Sequence, residues 1–269
     1  MKDKSISICV YGHTKHPRVA DAFHGIATHT IGSFELVYVE EPGTQPENVN
    51  RALSRASGRY VCLHDNDAMP LQRDWLGSLV STLEKDATIG LVGPIQIQNA
   101  RILDQWRHEG LSLVKSQFHQ DLVDAMNIPT MVIVFDRERT PNLSFDEAYP
   151  GQINGSDVDF CLQVHYLGFR VVLDTRVIHL HPEKVAAEDI LYDRGLASME
   201  DLRRQCEEQG KRVRSKWFSD SAFAERMRIL DGIGPPEAHL CGPECHAVRF
   251  GQTQAPGARD FGEEVRAER

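Results

Sequence analysis

The sequence predicts an α/β protein, with a mostly parallel central sheet flanked by helices and a C-terminal helical extension. Three observations carry that expectation. Over the first 95 residues, short β-branched runs alternate with stretches of helical period, the pattern of βαβ units. The 269 residues are 41% hydrophobic and 26% charged, enough for a buried core and unlike a disordered or fibrous chain. The last third turns to helix formers with few strand signals.

The elements follow in order. Residues 5–11 are apolar and β-rich and suit a buried parallel strand. Residues 16–30 read as a helix with Val19, Phe23, Ile26 and Ala27 on its buried face. A strand at 34–40 precedes the Pro42-Gly43 break. Val49, Ala52, Leu53 and Ala56 then give a helix over 47–57, with Gly58 as its C-cap. A strand at 60–64, a helix over 74–85 capped by Asp74, and a strand at 89–93 come next. Residues 96–128 are polar and irregular. Beyond them lie a strand at 130–135, a helix over 157–167 closed by Gly168, and two short strands at 170–173 and 176–179. Residues 183–230 read as helical, with Leu196, Met199, Leu202 and Cys206 in one stripe, and 231–269 form a Gly/Pro-rich tail that wraps the domain or stays partly disordered.

Charge and cysteine usage narrow the function classes. Thirty Lys+Arg against 39 Asp+Glu leave a net charge of −9, which argues against broad contact with a phosphate backbone. No apolar run reaches about 18 residues, so no transmembrane helix is expected. The N-terminus lacks a signal-peptide pattern, so a cytoplasmic location is expected. Of the six cysteines, Cys9, Cys62 and Cys161 lie in apolar or mixed helical runs and read as buried small hydrophobes; no disulfide framework is expected.

The most informative segment is Leu63-His64-Asp65-Asn66-Asp67-Ala68-Met69-Pro70. An apolar strand runs directly into two carboxylates one residue apart. Ligands of open α/β sheets bind beyond the carboxyl ends of strands, and a carboxylate pair there suits Mg²⁺ or Mn²⁺ with diphosphate oxygens completing the shell. The plainer reading is an Asx-rich turn that caps the next helix.

Residues 50–67 resemble the central stretch of family 2 glycosyltransferases, in which an Asn-initiated helix, a Gly and a strand lead into a DxD-type motif. Trp75-Leu76 and residues 90–94 resemble the segments that follow. Later blocks match in the same order: Phe145-Asp146-Glu147, Asn154 to Leu162 around Asp157 and Asp159, residues 168–171, and Val177 to His181. The ordered set spans roughly residues 5–182 and is far more specific than any single motif.

The resemblance implies a GT-A fold over residues 1–182. Residues 1–95 would take a nucleotide-diphosphate sugar and 96–182 an acceptor, followed by a helical extension (183–230) and the tail (231–269). It implies that Asp67 contacts Mn²⁺ or Mg²⁺, that Asp65 contacts the metal or the ribose, and that His179 or alternatively His181 is a further metal ligand. Tyr11, Glu40, Glu41, Asn50 and Asp65 become the nucleotide-side residues, with His13 beside Tyr11. Asp157 matches a general base that removes the proton from an acceptor hydroxyl in an inverting reaction; its structural alternative is a helix N-cap. Asp159 would bind acceptor or cap the helix, and Trp106 would be an acceptor platform or a core side chain. Two departures stand out: Glu40-Glu41-Pro42-Gly43 replaces the usual acidic Gly-Ser segment, and Ser156 replaces the Glu before Asp157. The implied activity is metal-dependent glycosyl transfer, to a glycan, small metabolite, peptide or hydroxylated DNA base. The alternatives are a sugar-phosphate nucleotidyltransferase and a non-catalytic nucleotide-sugar-binding module.

Two features stand outside the resemblance. His239, Cys241, Cys245 and His246 form a candidate Zn²⁺ set in the tail. Lys211, Arg212, Arg214 and Lys216 form a basic cluster, read as a solvated helix face or as a surface for a phosphate-bearing acceptor.

Overall fold

The structure is a computed structural model, described here for residues 5–12, 18–97, 120–149, 155–180 and 198–233. The chain runs β1 (Ile6–Gly12), α1 (Val19–His29), β2 (Glu35–Glu40), α2 (Gln45–Arg55), β3 (Tyr60–Asp65), β4 (Met69–Pro70), α3 (Trp75–Lys85), β5 (Ile89–Ile97), β6 (Leu122–Asp124), β7 (Val132–Asp136), α4 (Gly155–Tyr166), β8 (Arg170–Leu180), α5 (Met199–Trp217) and α6 (Ser221–Ile233). The sheet order is β2-β1-β3-β7-β5-β8-β4, with β6 also on β8.

The α/β expectation holds, but the sheet is mixed rather than mostly parallel. β2, β1 and β3 are parallel neighbours, as are β5 and β8. β7 runs antiparallel between β3 and β5, and β4 and β6 are antiparallel on β8. A right-handed helical crossover would have kept β7 parallel. Instead β7 runs antiparallel to both of its neighbours. The start of β7 therefore meets the end of β3, with His64 opposite Val132.

Alternation along the strands sends side chains to two cores. Val61 and Leu63 of β3 join Val49 and Leu53 of α2 and Phe160 of α4. Tyr60 and Cys62 join Trp75, Leu79 and Leu83 of α3. Cys9, Cys62 and Cys161 are buried free thiols, as expected. A third core is built from Tyr149, Val158 and Leu162 with Val213 of α5 and Phe223 and Met227 of α6.

Local chemistry corrects several boundaries. α2 starts earlier than the apolar pattern implied, because Thr44 and Glu47 form a reciprocal capping box and Pro46 fits the first turn. Gly58 is not its C-cap; the helix ends at Ala56 in extended conformation. Gly58 is instead required by close packing, since a Cβ there would lie 2.6 Å from the Ser7 amide nitrogen. Ala27 is exposed, and α1 buries Ala22, Gly25 and Ile26. Asp74 holds the N-cap position of α3 in left-handed conformation (φ 57°) and makes no side-chain cap bond. β5 continues to Ile97. β8 is one strand where two were expected: Asp174 is fully buried and paired with Arg176 and Thr82, so the chain does not turn there. Gly168 does close α4, with φ +89°. Leu196, the side chains of Met199, Leu202 and Cys206, and the tail from 234 lie outside the described residues.

Candidate active site

The Asp65-Asn66-Asp67 turn leaves β3 at the carboxyl edge of the sheet and is fixed from both sides. The Asp65 amide donates to the Met131 carbonyl at 2.7 Å, and the Asn66 amide donates to the Tyr11 carbonyl at 3.1 Å. The Ala68 amide closes the turn onto the Asp65 carbonyl at 3.3 Å. Gly12 allows the turn to approach β1, since a Cβ there would collide with the Asn66 side chain. Asn66 and Asp67 are buried and Asp65 is half-buried.

Beside this turn, Tyr11 points its hydroxyl into a polar junction. It donates to the Thr130 carbonyl at 2.9 Å and lies in hydrogen-bond range of the Asp65 carboxylate. Burial, with the negative charges of Asp65 and Asp157, pushes the phenol well above its ordinary range, so it stays a donor at neutral pH. Thr130 is fully buried, and its hydroxyl donates to Asp157 Oδ1 at 2.7 Å. Asp157 sits half-buried in the first turn of α4, where the positive end of the helix dipole favours negative charge. The structure thus brings Tyr11, Asp65 and Asp157 together, with Thr130 as the connector. Sequence reading placed Thr130 merely at the start of a strand. The Pro129 before it, which ends the irregular segment at the sheet edge, was the available signal.

Other expected residues are placed elsewhere. His179 is fully buried, with its ring 4.6 Å from Trp75 and 5.8 Å from His64. Among the described residues neither ring nitrogen has a hydrogen-bond partner, and burial drives the imidazole well below its usual pKa, so it is neutral. Among the described residues no three His, Cys, Asp or Glu side chains converge as a metal-holding group.

Glu40, opposite Gly12 in the β1–β2 register, accepts from the Tyr38 hydroxyl. Glu41 is turned toward α2, bonded to Arg55 at 2.7 Å and 3.7 Å from Arg51; the Arg55 bond holds its carboxyl below the ordinary range. Asn48, overlooked in the sequence, ties the edge together by donating to the Gly12 and Glu41 carbonyls at 3.0 and 2.9 Å. Asn50 does not start a helix but lies inside α2. It clamps the 145–147 loop through the Phe145 amide and carbonyl and the Glu147 carboxylate. An open pocket of about 390 Å³ lies there, away from the Asp65 turn.

Asp159 is not a surface group available to an acceptor. It is fully buried and receives Trp217 Nε1 at 2.6 Å, Lys216 Nζ at 2.9 Å, Gln163 at 3.0 Å and the Tyr149 hydroxyl at 3.4 Å. Arg212 and Lys216 also pair with Asp146. Half of the expected basic cluster is thus consumed in docking α5 onto α4. Gln209 of α5 accepts the Gly155 amide at 2.9 Å, supporting the turn that carries Asp157. Ser156 is buried, and among the described residues its hydroxyl has no partner. His13, Trp106, His181, His239, Cys241, Cys245 and His246 lie outside the described residues.

Comparison with known proteins gives one family match and several structures of the same fold. Residues 18–137 match the model of glycosyl transferase family 2. No curated protein sequence matches significantly. Three solved structures share the fold. A mannosyltransferase from Pyrobaculum calidifontis, in complex with GDP-Man and Mn²⁺, is 16% identical with a TM-score of 0.57, over 92% of this chain and 73% of its own. TarS (residues 1–349) from S. aureus, in complex with UDP-GlcNAc, is 11% identical at 0.53, over 77% of this chain and 65% of its own. GalNAc-T7 with UDP, GalNAc and Mn²⁺ is 10% identical at 0.50, over 82% and 58%. The chain thus spans less than two thirds of the latter two. Among the described residues no helix is long and apolar enough to cross a membrane. With its mixed α/β sheet the chain shares the fold of these glycosyltransferase structures, and its residues 18–137 carry the match to glycosyl transferase family 2.

Proposed function

We propose that this protein moves a sugar from a nucleotide-diphosphate donor to an acceptor hydroxyl with inversion at the anomeric carbon. The observation that carries the reading is the junction of Asp65, Tyr11, Thr130 and Asp157 at the carboxyl edge of the sheet. Two carboxylates one residue apart, on a turn held by β1 and the entry to β7, suit a hard cation that takes one or two carboxylates plus substrate phosphates. Asp65 and Asp67 would hold Mg²⁺ or Mn²⁺, which supplies positive charge opposite the leaving diphosphate.

The chain's own residues account for the rest. The turn orients the donor above β1 and β3, with Tyr11 forming the floor on its nucleotide side. Asp157 takes the proton from the acceptor hydroxyl as that oxygen bonds to the anomeric carbon and the bond to the diphosphate oxygen breaks. Mn²⁺ complexes of the Pyrobaculum enzyme and GalNAc-T7, and the nucleotide-sugar complexes of the Pyrobaculum enzyme and TarS, support the cofactor and donor class. The test is a panel of GDP- and UDP-sugars with Mn²⁺, read by release of nucleoside diphosphate and by thermal stabilisation. Turnover with at least one donor, lost on chelation, is expected. Absence of both turnover and stabilisation across the panel overturns the reading.

A further inference from the structure

We infer that Thr130 is a positioning residue for Asp157, and that Tyr11 locks Thr130 in place, so that the donor-side turn and the proposed base are held as one unit. This rests on the transferase reading above. Thr130 makes two bonds at once from a fully buried position: its carbonyl receives the Tyr11 hydroxyl at 2.9 Å and its own hydroxyl donates to Asp157 Oδ1 at 2.7 Å. The next residue, Met131, receives the Asp65 amide at 2.7 Å. Two adjacent carbonyls therefore bind the two donor-side strands, β1 through Tyr11 and β3 through Asp65. The side chain between them reaches across to α4.

A threonine suits this position because its β-branched side chain has few rotamers, so packing can fix the hydroxyl direction. A hydrogen bond to a charged acceptor in a buried site is stronger and more directional than one in water. The bond fixes one oxygen of Asp157, which sets where the other points. Base catalysis depends on that direction, because the proton acceptor must sit within hydrogen-bond reach of the attacking hydroxyl. Thr130 touches no reacting atom in this scheme; it acts through Asp157.

The test uses the full chain with Mn²⁺ and the donor that turns over best in the GDP- and UDP-sugar panel. Thr130→Val keeps the shape and removes the hydroxyl, Thr130→Ser keeps the hydroxyl, and Tyr11→Phe releases the Thr130 carbonyl. Each variant is first checked for a cooperative melt. Thr130→Val is expected to lower kcat about 10- to 100-fold, the rate equivalent of a lost hydrogen bond to a charged group. The donor KM and donor-induced thermal stabilisation should stay within about twofold of wild type, because the Asp65 turn is untouched. Thr130→Ser should recover kcat to within a few-fold, and Tyr11→Phe should lie between. Wild-type kcat in Thr130→Val overturns the inference, as does equal loss in Thr130→Ser or a parallel loss of donor binding. If Thr130→Val does not fold, Tyr11→Phe with wild-type kcat overturns it. Absence of turnover by wild type overturns the transferase reading and this inference with it; wild-type turnover with insensitive variants overturns this inference alone.

Discussion

Replacing Asp159 with Ala is expected to destabilise the fold without acting first on chemistry. The carboxylate is fully buried and receives donors from Trp217, Lys216, Gln163 and Tyr149. Removing one member of a buried ionic cluster costs about 3–5 kcal/mol, because its partners stay behind unpaired. Lys216 is 36% exposed and keeps Asp146 at 3.2 Å, so its share is discounted for solvent. What remains is about 3 kcal/mol, carried mainly by the Trp217 and Tyr149 donors. At about 2–4 °C per kcal/mol for a chain near this size, the melting temperature falls by roughly 6–12 °C. Calorimetry at neutral pH measures it, and amide exchange in α5 should rise most, since that helix carries two of the four donors. Asp159→Asn keeps an oxygen for Trp217 and should recover about half. A loss below about 1 kcal/mol, with turnover falling instead, would refute the reasoning and return Asp159 to the acceptor site.

Three further expectations follow from particular contacts. Asp67→Asn should reduce Mn²⁺-dependent donor turnover at least about 100-fold while the apo melting temperature shifts by no more than about 3 °C; retained turnover at unchanged Mn²⁺ concentration contradicts the assignment. Gly12→Ala places a methyl group where the Asn66 side chain lies, so the Asp65–Asp67 turn must shift; donor KM should rise at least about tenfold, read by titration. His165 is buried, its Nε2 donates to the Ala125 and Met126 carbonyls at 3.1 Å, and burial lowers its pKa. The folded form then resists the proton that the unfolded chain accepts near pH 6.5. Its stability contribution is intact above that pH and is lost as pH falls below it, by up to about 1.4 kcal/mol per unit; urea titrations at pH 7.5 and 5.5 should show a smaller difference in His165→Gln.

The N-terminal half was legible because its signals are local. Apolar runs gave β1, β2, β3 and β5, and the carboxylates after β3 sit where a strand exit predicts a site. Asp65 and Asp157 could be named from motif order and Tyr11 from its place at the end of the first strand, although their convergence needed the fold. The antiparallel β7 was not legible, since its residues read as a buried strand in either direction. Thr130 escaped for the same reason: a residue at a strand entrance reaches the site only if the strand is reversed. His179 was named from motif order, and strand spacing to His181 shows which face a side chain takes but not that this face meets Trp75. Asp159 and the Lys211–Lys216 cluster were read as surface groups. Their pairing spans 57 residues of sequence, and no local pattern encodes it.

The reversal of β7 also separates two kinds of variation. Strand exits of β1 and β3 hold one side of the cleft, and a strand entrance supplies the other. The chain enters β7 past Thr130 and is anchored there by Met131. Insertions between β5 and β7 would leave the Asp65 turn on its anchors, Tyr11 and Met131. On the transfer reading proposed above, such a layout would let acceptor preference diverge by changes in loop length, with the proposed donor side left in register.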